Sequence, residues 1–275
     1  MEEKYKALTE QLKSYGHVAV AFSGGVDSTF LLAAAKDALG ERVLAITACP
    51  CSFTKREKEE TQSFCQENQI AQVFCPVNEL EIEGFAQNHP ERCYLCKKSL
   101  FQKMLAIAKE QHIFTLLEGS NMDDESDYRP GVRAIRELQV KSPLQEAGLY
   151  KAEIRLLSRK MGLPTWDKPS FACLASRFPY GEEITREKLQ MVEQAEEYLR
   201  ETGFSQFRVR MHGQMARIEV LPQEIHCFLQ EDIRKCITER FRQLGFVYVT
   251  LDLAGYRTGS MNEVLRCNPS ENDEP

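Results

Sequence analysis

Four short segments of the sequence combine side chains that can do chemistry, and the strongest signal is 23-SGGVDS-28. It stands between an apolar run typical of a buried strand and the start of a helical pattern. Paired glycines permit a tight turn in which several backbone N–H groups point at one phosphate, and a helix N-terminus adds its positive end. We therefore predict a phosphate-binding loop formed by Ser23, Gly24, Gly25, Asp27 and Ser28. Asp27 would either hold Mg²⁺ against a pyrophosphate or cap the helix.

A pair of cysteines in 92-RCYLCKKSLF-101 is the second signal. The spacing of Cys93 and Cys96 lets two thiolates reach one metal ion or cluster, or each other as a redox pair, and a structural role is the alternative. We place the pair just before a helix that begins near Lys97, where positive charge favours thiolates. The sequence has no second Cys-x-x-Cys to complete a zinc site. Cys173 could be a third ligand, and three thiolates leave one iron of a [4Fe–4S] cluster open.

The third and fourth segments are polar. In 119-GSNMDDESDYRPG-131, acidic and amide side chains after a predicted strand suit Mg²⁺ or ribose hydroxyls, although a solvated loop of Arg–Asp pairs would look similar. From this acidic loop we single out Asn121, Asp124 and Arg129. In 207-FRVRMHG-213, Arg208 and Arg210 are two residues apart, so on a strand both point to one face. Paired guanidiniums bind a phosphate monoester through bidentate hydrogen bonds, and surface salt bridges are the alternative.

The first part of the chain alternates short apolar runs with helical spacing. This alternation predicts βαβ units, hence an α/β fold built on a parallel sheet, whose ligands gather at the carboxyl ends of the strands. Strands are expected at 17–22, 42–48, 71–77 and 113–120, and helices at 28–39, 55–69, 97–111 and 150–162. The phosphate loop and the acidic loop each follow one of these strands.

A change of pattern near 170–183 predicts a second, smaller α/β domain. It should contain helices at 185–203 and 227–245, two strands within 207–221 that turn at His212-Gly213, and a final strand at 246–253. We predict a nucleotide-type domain over 1–170, a C-terminal domain for substrate binding and oligomerisation over 183–265, and a disordered tail over 266–275. Cys173 would then lie at the junction of the two domains.

Composition excludes several classes of function. A formal net charge of −6 and a pI of about 5.6 argue against nucleic-acid binding, which needs a basic surface. No stretch approaches the roughly 20 apolar residues of a membrane span, and the polar N-terminus lacks the apolar core of a signal peptide. We therefore expect a cytoplasmic protein whose ten cysteines are reduced.

Four motifs occur in one order along the chain: SGGVDS, GSNxDDxxDYRPG, PSFACLASRFPYGEEIT and RVRxHGxxARIEV. Together they closely resemble the LarE family, over nearly the whole chain. The first motif alone is similar to the pyrophosphate loop of the wider ATP pyrophosphatase superfamily, which includes tRNA thiolases, NAD synthetases and GMP synthetases. The resemblance implies a parallel-sheet fold of the adenine nucleotide alpha hydrolase type, with ATP cleaved between its α and β phosphates.

Members of the LarE family are ATP-dependent sulfur transferases that act on pyridinium-3,5-biscarboxylic acid mononucleotide. They adenylate its carboxylates and replace oxygen with sulfur, which gives the precursor of the nickel-pincer nucleotide of lactate racemase. The resemblance thus implies ATP and Mg²⁺ as cofactors, a small-molecule substrate and a homo-oligomer such as a hexamer. In many relatives the sulfur comes from the enzyme's own cysteine, which becomes dehydroalanine, and Cys173 matches that cysteine.

The additional cysteines shift the resemblance to a three-cysteine subgroup thought to hold a [4Fe–4S] cluster. Cys93, Cys96 and Cys173 would be its ligands, and sulfide on the open iron would attack the acyl-adenylate. Arg177 would favour the thiolate form of Cys173. Ser176, Arg208 and Arg210 would bind the phosphate of the substrate. Two alternatives stay open at this point: Cys173 as a sacrificial sulfur donor, and a tRNA thiolase.

Overall fold

The computed structural model describes residues 1–50, 53, 55–126, 131–169, 173–257 and 260. The chain divides into two units, the first from Met1–Phe85 and Glu91–Phe171 and the second from Ala86–Pro90 and Ala172–Pro275. The short segment joins the second unit through hydrogen bonds, among them Ile184 N–H to the Ala86 carbonyl at 2.7 Å. The predicted tail, 266–275, lies outside the described residues.

The first unit is an α/β structure with a four-stranded parallel sheet, as the alternating pattern predicted. The strands are β1 (Val18–Ala21), β2 (Val43–Cys49), β3 (Ala71–Pro76) and β4 (Leu116–Leu117). The α-helices are α1 (Glu2–Tyr15), α2 (Val26–Leu39), α3 (Lys55–Glu67), α4 (Arg92–Glu110), α5 (Gly131–Glu137), α6 (Pro143–Glu146) and α7 (Lys151–Lys160). The order in the sheet is β3-β2-β1-β4, so the direction of winding reverses between β1 and β4.

Both faces of this sheet are buried, which explains why its strands read as continuous apolar runs. Successive residues of a strand point to opposite faces. Val18 and Val20 of β1 accordingly lie in the apolar layer formed with α1, α2, α3 and α7. Ala19 lies in the opposite layer, with side chains of α4 and α5. The helices cover both faces of the sheet and leave the edge at the carboxyl ends of its strands accessible to ligands.

The second unit contains a three-stranded sheet in the order β5-β6-β7. Its elements are α8 (Arg186–Glu201), β5 (Phe207–His212), β6 (Met215–Val220), α9 (Glu231–Leu244) and β7 (Tyr248–Leu251). β5 and β6 are antiparallel, and the turn between them contains Gly213 at φ 58°, in agreement with the turn expected there. β7 pairs parallel to β6.

Two boundaries differ from the sequence predictions, and both affect the site. α4 begins at Arg92 rather than near Lys97, because the N–H groups of Tyr94 and Leu95 already bond to the Glu91 carbonyl. The cysteine pair therefore lies within the helix and not before it. β4 has only two residues, Leu116 and Leu117, and the next N–H, that of Glu118, bonds to the Lys141 carbonyl.

In the described ranges, no helix is both long enough and apolar enough to cross a lipid bilayer.

The packing of α3 predicts the reactivity of its cysteine. Cys65 is buried in the apolar layer, and burial raises the pKa of its thiol to about 12. We therefore expect iodoacetamide at mildly alkaline pH to leave Cys65 unmodified in the folded protein and to modify it after unfolding in urea. Peptide mass mapping measures this, with the exposed Cys236 as the positive control. Equal labelling of the two thiols in the folded protein would contradict the packing of α3.

Candidate active site

The SGGVDS segment forms the turn from β1 into α2, where sequence reasoning placed a phosphate loop. The hydroxyl oxygens of Ser23 and Ser28 lie 3.0 Å apart, and the Ser23 N–H donates to Ser28 Oγ over 3.3 Å. The backbone turns at Gly24, whose φ of +69° is in the left-handed region. A Cβ atom on Gly24 would come within 2.8 Å of Thr61 Cγ2. Both the conformation and the space therefore require glycine there.

Asp27 stands in the first turn of α2 and is the acidic group of this loop. Its Oδ2 atom accepts a hydrogen bond from the ammonium of Lys151, the first residue of α7. Its Oδ1 atom is buried and has no hydrogen-bond partner among the described atoms. Burial raises the pKa of Asp27 above its ordinary value, although Lys151 acts in the opposite direction. One carboxylate oxygen therefore remains for a cation.

A cleft of about 540 Å³ lies at the carboxyl edge of the sheet. Its walls include Ser23, Gly25, Asp27, Ser28, Asn121 and Asp124. These residues follow β1 and β4, between which the winding of the sheet reverses, and open α/β sheets bind their ligands at such a point. Gly119 lets the two loops approach, since a Cβ there would come 3.1 Å from Ser28 N.

The described part of the acidic loop is ordered by its own side chains. The Asn121 N–H donates to Asp124 Oδ2 and the Asp123 N–H donates to Asn121 Oδ1, both over 3.0 Å. Asp123 Oδ2 in turn accepts the N–H of Lys151 over 2.7 Å, so this loop also caps α7. Arg129, which the sequence analysis singled out, lies outside the described residues.

Sequence reasoning missed two cations of the cleft, Lys151 and Arg155. Lys151 lies 124 residues after Asp27, and no local motif marks either cation. The only signal was the helical pattern at 150–162. Packing of α7 beside α2 brings both side chains to the phosphate loop. A single sequence does not reveal that packing.

The cysteine pair lies at the start of α4, where residues three apart share one side of the helix. Cys93 is exposed and Cys96 is half-buried. The next residue, Lys97, lines the cleft, and its stem passes so close to Gly131 that a Cβ there would lie 2.4 Å from Lys97 Cδ. The first two turns of α4 thus carry both the thiols and part of the cleft wall.

Cys173 belongs to the second unit, where it is exposed and precedes a 3₁₀ turn, Leu174–Arg177. Taken separately, the described residues of each unit contain no group of three His, Cys, Asp or Glu side chains arranged to hold a metal ion. The three predicted cluster ligands are thus two cysteines of the first unit and one of the second.

Arg177 is only 1% exposed, so it is not the surface cation that its sequence neighbours suggest. Its guanidinium forms a bidentate pair with Glu196, at 2.8 and 2.9 Å, and donates to Ser176 Oγ over 3.0 Å. Burial opposes the charge, but Glu196 outweighs it and holds the pKa of Arg177 above its ordinary value. Arg177 also donates to the carbonyl oxygen of Cys173 over 3.2 Å. An effect of Arg177 on the thiol stays a prediction.

Arg208 and Arg210 both lie on β5 and both are buried. Arg210 donates to the Ser176 carbonyl over 3.0 Å and to Glu219 Oε2 over 2.9 Å, while its Nε atom has no partner among the described atoms. Burial and the neighbouring Arg177 lower the pKa of Arg208. Arg177, Arg208 and Arg210, called here the arginine cluster, therefore concentrate positive charge beside Ser176.

Known proteins similar to this chain cover nearly all of it, although no family model matches. Identity is 42% to an uncharacterized protein of Synechocystis sp., over 96% of this chain and 99% of the relative. It is 38% to pyridinium-3,5-bisthiocarboxylic acid mononucleotide synthase of Lactiplantibacillus plantarum, over 95% of each chain. The chain belongs to the LarE family. Similarity to a glutamine-hydrolyzing GMP synthase of Pyrobaculum aerophilum is weaker, with 28% identity over 74% of this LarE-family chain and 45% of the relative.

The phosphate loop of this LarE-family chain allows a test of its geometry. We expect Gly24→Ala to destabilise the protein by about 2–4 kcal/mol, for two reasons. An alanine is strained in the left-handed backbone conformation of residue 24, and its Cβ atom would clash with Thr61 Cγ2. Gly162→Ala is the control, since Gly162 has φ +70° but nothing within 4 Å of the added Cβ. Gly162→Ala should lower the free energy of unfolding only by the backbone strain, about 1 kcal/mol. Urea unfolding measures both, and Thr61→Ser should relieve Gly24→Ala by removing the methyl group. Absence of relief would contradict the clash.

The buried ion pair of the second unit allows another test. We expect Glu196→Gln to destabilise the protein by about 3–5 kcal/mol, because it leaves the Arg177 charge buried without its carboxylate. Burial would raise the pKa of Glu196, but Arg177 outweighs it and the pKa is lowered. The contribution is therefore complete above about pH 4.3, the unfolded value, and disappears as the pH falls through the folded one.

Unfolding measured against pH compares Glu196→Gln with the double variant Arg177→Met/Glu196→Gln. Removing both charges should recover part of the lost stability. A double variant as unstable as the sum of its single variants would contradict a direct pair.

Proposed function

We propose that this protein is an ATP-dependent sulfur transferase that converts the carboxylates of pyridinium-3,5-biscarboxylic acid mononucleotide into thiocarboxylates. Its product would be the precursor of the nickel-pincer nucleotide of lactate racemase. The observation that carries the proposal is the similarity, along 95% of each chain, to a synthase named for the bisthiocarboxylic acid product. The cleft at the strand ends supports the use of a nucleotide.

The proposed nucleotide site is the cleft around the phosphate loop. The N–H groups and hydroxyls of the loop, together with the N-terminus of α2, favour a pyrophosphate group. Asp27 Oδ1 is a buried carboxylate oxygen with no hydrogen-bond partner among the described atoms, and Asp124 is close enough to act on the pKa of Asp27. These donors fit Mg²⁺, which proteins hold through one or two carboxylates and substrate phosphates. Bound Mg²⁺ would neutralise charge on the phosphates.

In the proposed reaction a substrate carboxylate oxygen attacks the α-phosphorus of ATP. The bond to the bridging oxygen breaks, and pyrophosphate leaves with the electron pair. The phosphate loop stabilises the charge of this leaving group from fixed donors. Sulfur then attacks the acyl carbon and AMP leaves with the electron pair of the broken bond. The second carboxylate undergoes the same two steps.

We propose that the arginine cluster binds the phosphate monoester of the substrate. Burial and the nearby Arg177 disfavour the charged form of Arg208. A bound anion would stabilise that charged form in place of the lost water. Arg210 Nε is a buried donor with no partner among the described atoms. Ser176 lies between the two guanidiniums, accepting from Arg177 and Arg210, and would contribute its hydroxyl.

For the sulfur source we propose a [4Fe–4S] cluster held by Cys93, Cys96 and Cys173. The donor set fits, because thiolates are the usual ligands of such clusters and all three thiols are exposed or half-buried. A bound cluster would supply sulfide at the iron that no cysteine holds. The alternative is a sacrificial Cys173, whose exposure would also let it reach a substrate. Homo-oligomer formation remains part of the proposal.

Iron analysis and intact mass before and after one turnover separate these sulfur sources. We expect anaerobically reconstituted protein to hold about four irons per chain and to lose them in Cys93→Ala and Cys173→Ala. After reaction with ATP, substrate and added sulfide, AMP, pyrophosphate and the thiocarboxylate should form while the mass of the protein stays constant. Cys236→Ala, which removes an exposed thiol of α9, is the matched control and should keep its iron.

Loss of the mass of H₂S from residue 173, in protein without iron, would favour the sacrificial mechanism and exclude the cluster. Absence of AMP and thiocarboxylate from the reconstituted protein would refute the proposed function.

A further inference from the structure

We propose that Lys151 is a pyrophosphate-binding residue, which Asp27 holds beside the phosphate loop. The inference rests on the proposed use of ATP and adds to it a residue that no motif of the sequence marks. Its basis is the hydrogen bond between the Lys151 ammonium and Asp27 Oδ2 at the wall of the nucleotide cleft.

The position of Lys151 is set by the start of α7. Its backbone N–H donates to Asp123 Oδ2 over 2.7 Å, and the preceding Tyr150 N–H donates to Glu153 Oε2 over 3.0 Å. The first bond attaches the start of α7 to the acidic loop after β4, and the second caps the helix from within its own first turn. The base of the side chain is therefore fixed on both sides, and its ammonium reaches the cleft from a defined point.

The ammonium keeps donors for a ligand. It has three N–H groups, of which Asp27 takes one, and the side chain is 27% exposed. Asp27 offers its other oxygen, Oδ1, to a cation. One carboxylate can thus orient Lys151 through Oδ2 while Oδ1 binds Mg²⁺, and both positive charges then face the same phosphates.

Two other cations near the loop, Arg155 and Lys168, donate hydrogen bonds to backbone carbonyls. Arg155 donates to the carbonyls of Trp166 and Lys168 over 2.7 and 2.8 Å. Lys168 donates to the Gly24 carbonyl over 3.0 Å and to Glu60 over 2.9 Å. Of these bonds, only the one from Lys168 to the Gly24 carbonyl contacts the loop. Lys151 differs because its partner is the acidic side chain of the loop itself.

The contribution of Lys151 to nucleotide binding depends on how many phosphates the nucleotide has. Pyrophosphate brings negative charge to a loop that already contains Asp27, with Asp124 close by, and Lys151 offsets it. When the bond between the α-phosphorus and the bridging oxygen breaks, that oxygen keeps the electron pair, and the ammonium stabilises the added charge. AMP lacks the β and γ phosphates. Lys151 should therefore contribute to the binding of ATP and not of AMP.

Calorimetric titration with Mg²⁺ and α,β-methylene-ATP, which is not cleaved at the α–β position, tests this against a titration with AMP. We expect Lys151→Gln to weaken binding of the triphosphate analogue by about tenfold to 100-fold, the range for hydrogen bonds to charged groups, with AMP affinity unchanged. Lys151→Arg should retain part of the affinity. Lys160→Gln removes the same charge from the other end of α7, where the side chain is 59% exposed, and should change neither affinity.

An equal loss of affinity for both nucleotides in Lys151→Gln would indicate a structural role and overturn the inference, as would no loss for either. Absence of nucleotide binding in the unaltered protein would refute the proposed use of ATP itself, so the two failures are distinguishable.

Discussion

The turn from β1 into α2 is the constraint on which the rest of the first unit depends. The chain must leave a buried strand, reverse at Gly24 and enter a helix within a few residues, with Thr61 packed against the turn. Gly119 then lets the loop after β4 lie against Ser28. A Cβ atom at Gly24 would clash with Thr61, and one at Gly119 would be in tight contact with the Ser28 backbone. The two close approaches bring the backbone donors and acidic side chains to one edge of the sheet.

The second unit meets a different constraint, the burial of charge. Arg177, Arg208 and Arg210 are buried together with Glu196 and Glu219. Burying ions is unfavourable unless each is closely paired and hydrogen-bonded, and the Arg177–Glu196 and Arg210–Glu219 pairs satisfy this condition. Such pairs hold guanidiniums in fixed orientations, which suits recognition of a phosphate better than mobile surface side chains do. The Arg177–Glu196 and Arg210–Glu219 pairs therefore fix the orientations of these two guanidiniums.

Local patterns predicted most elements of the fold, because apolar periodicity follows directly from which face of an element is buried. The helix at 28–39 and the turn at His212-Gly213 are examples. Boundaries were less predictable. The helix with the cysteine pair begins at Arg92, since backbone hydrogen bonds to Glu91 extend it past the basic residues that suggested its start. β4 was expected to be longer, but its pairing with β1 ends at Leu117, and the Glu118 N–H bonds to the Lys141 carbonyl instead.

By itself the sequence determined the α/β class, the glycine-containing turn from β1 into α2 and the family, because these depend on short motifs whose residues stand next to each other. Tertiary structure alone decided which distant residues meet. Lys151 contacts Asp27 because α7 packs beside α2, and Arg177 is buried because α8 supplies Glu196. No sequence motif marks either contact, since any exposed helix carries Lys, Arg and Glu. Such side chains acquire a role only when the packing of the chain places a partner within hydrogen-bonding distance.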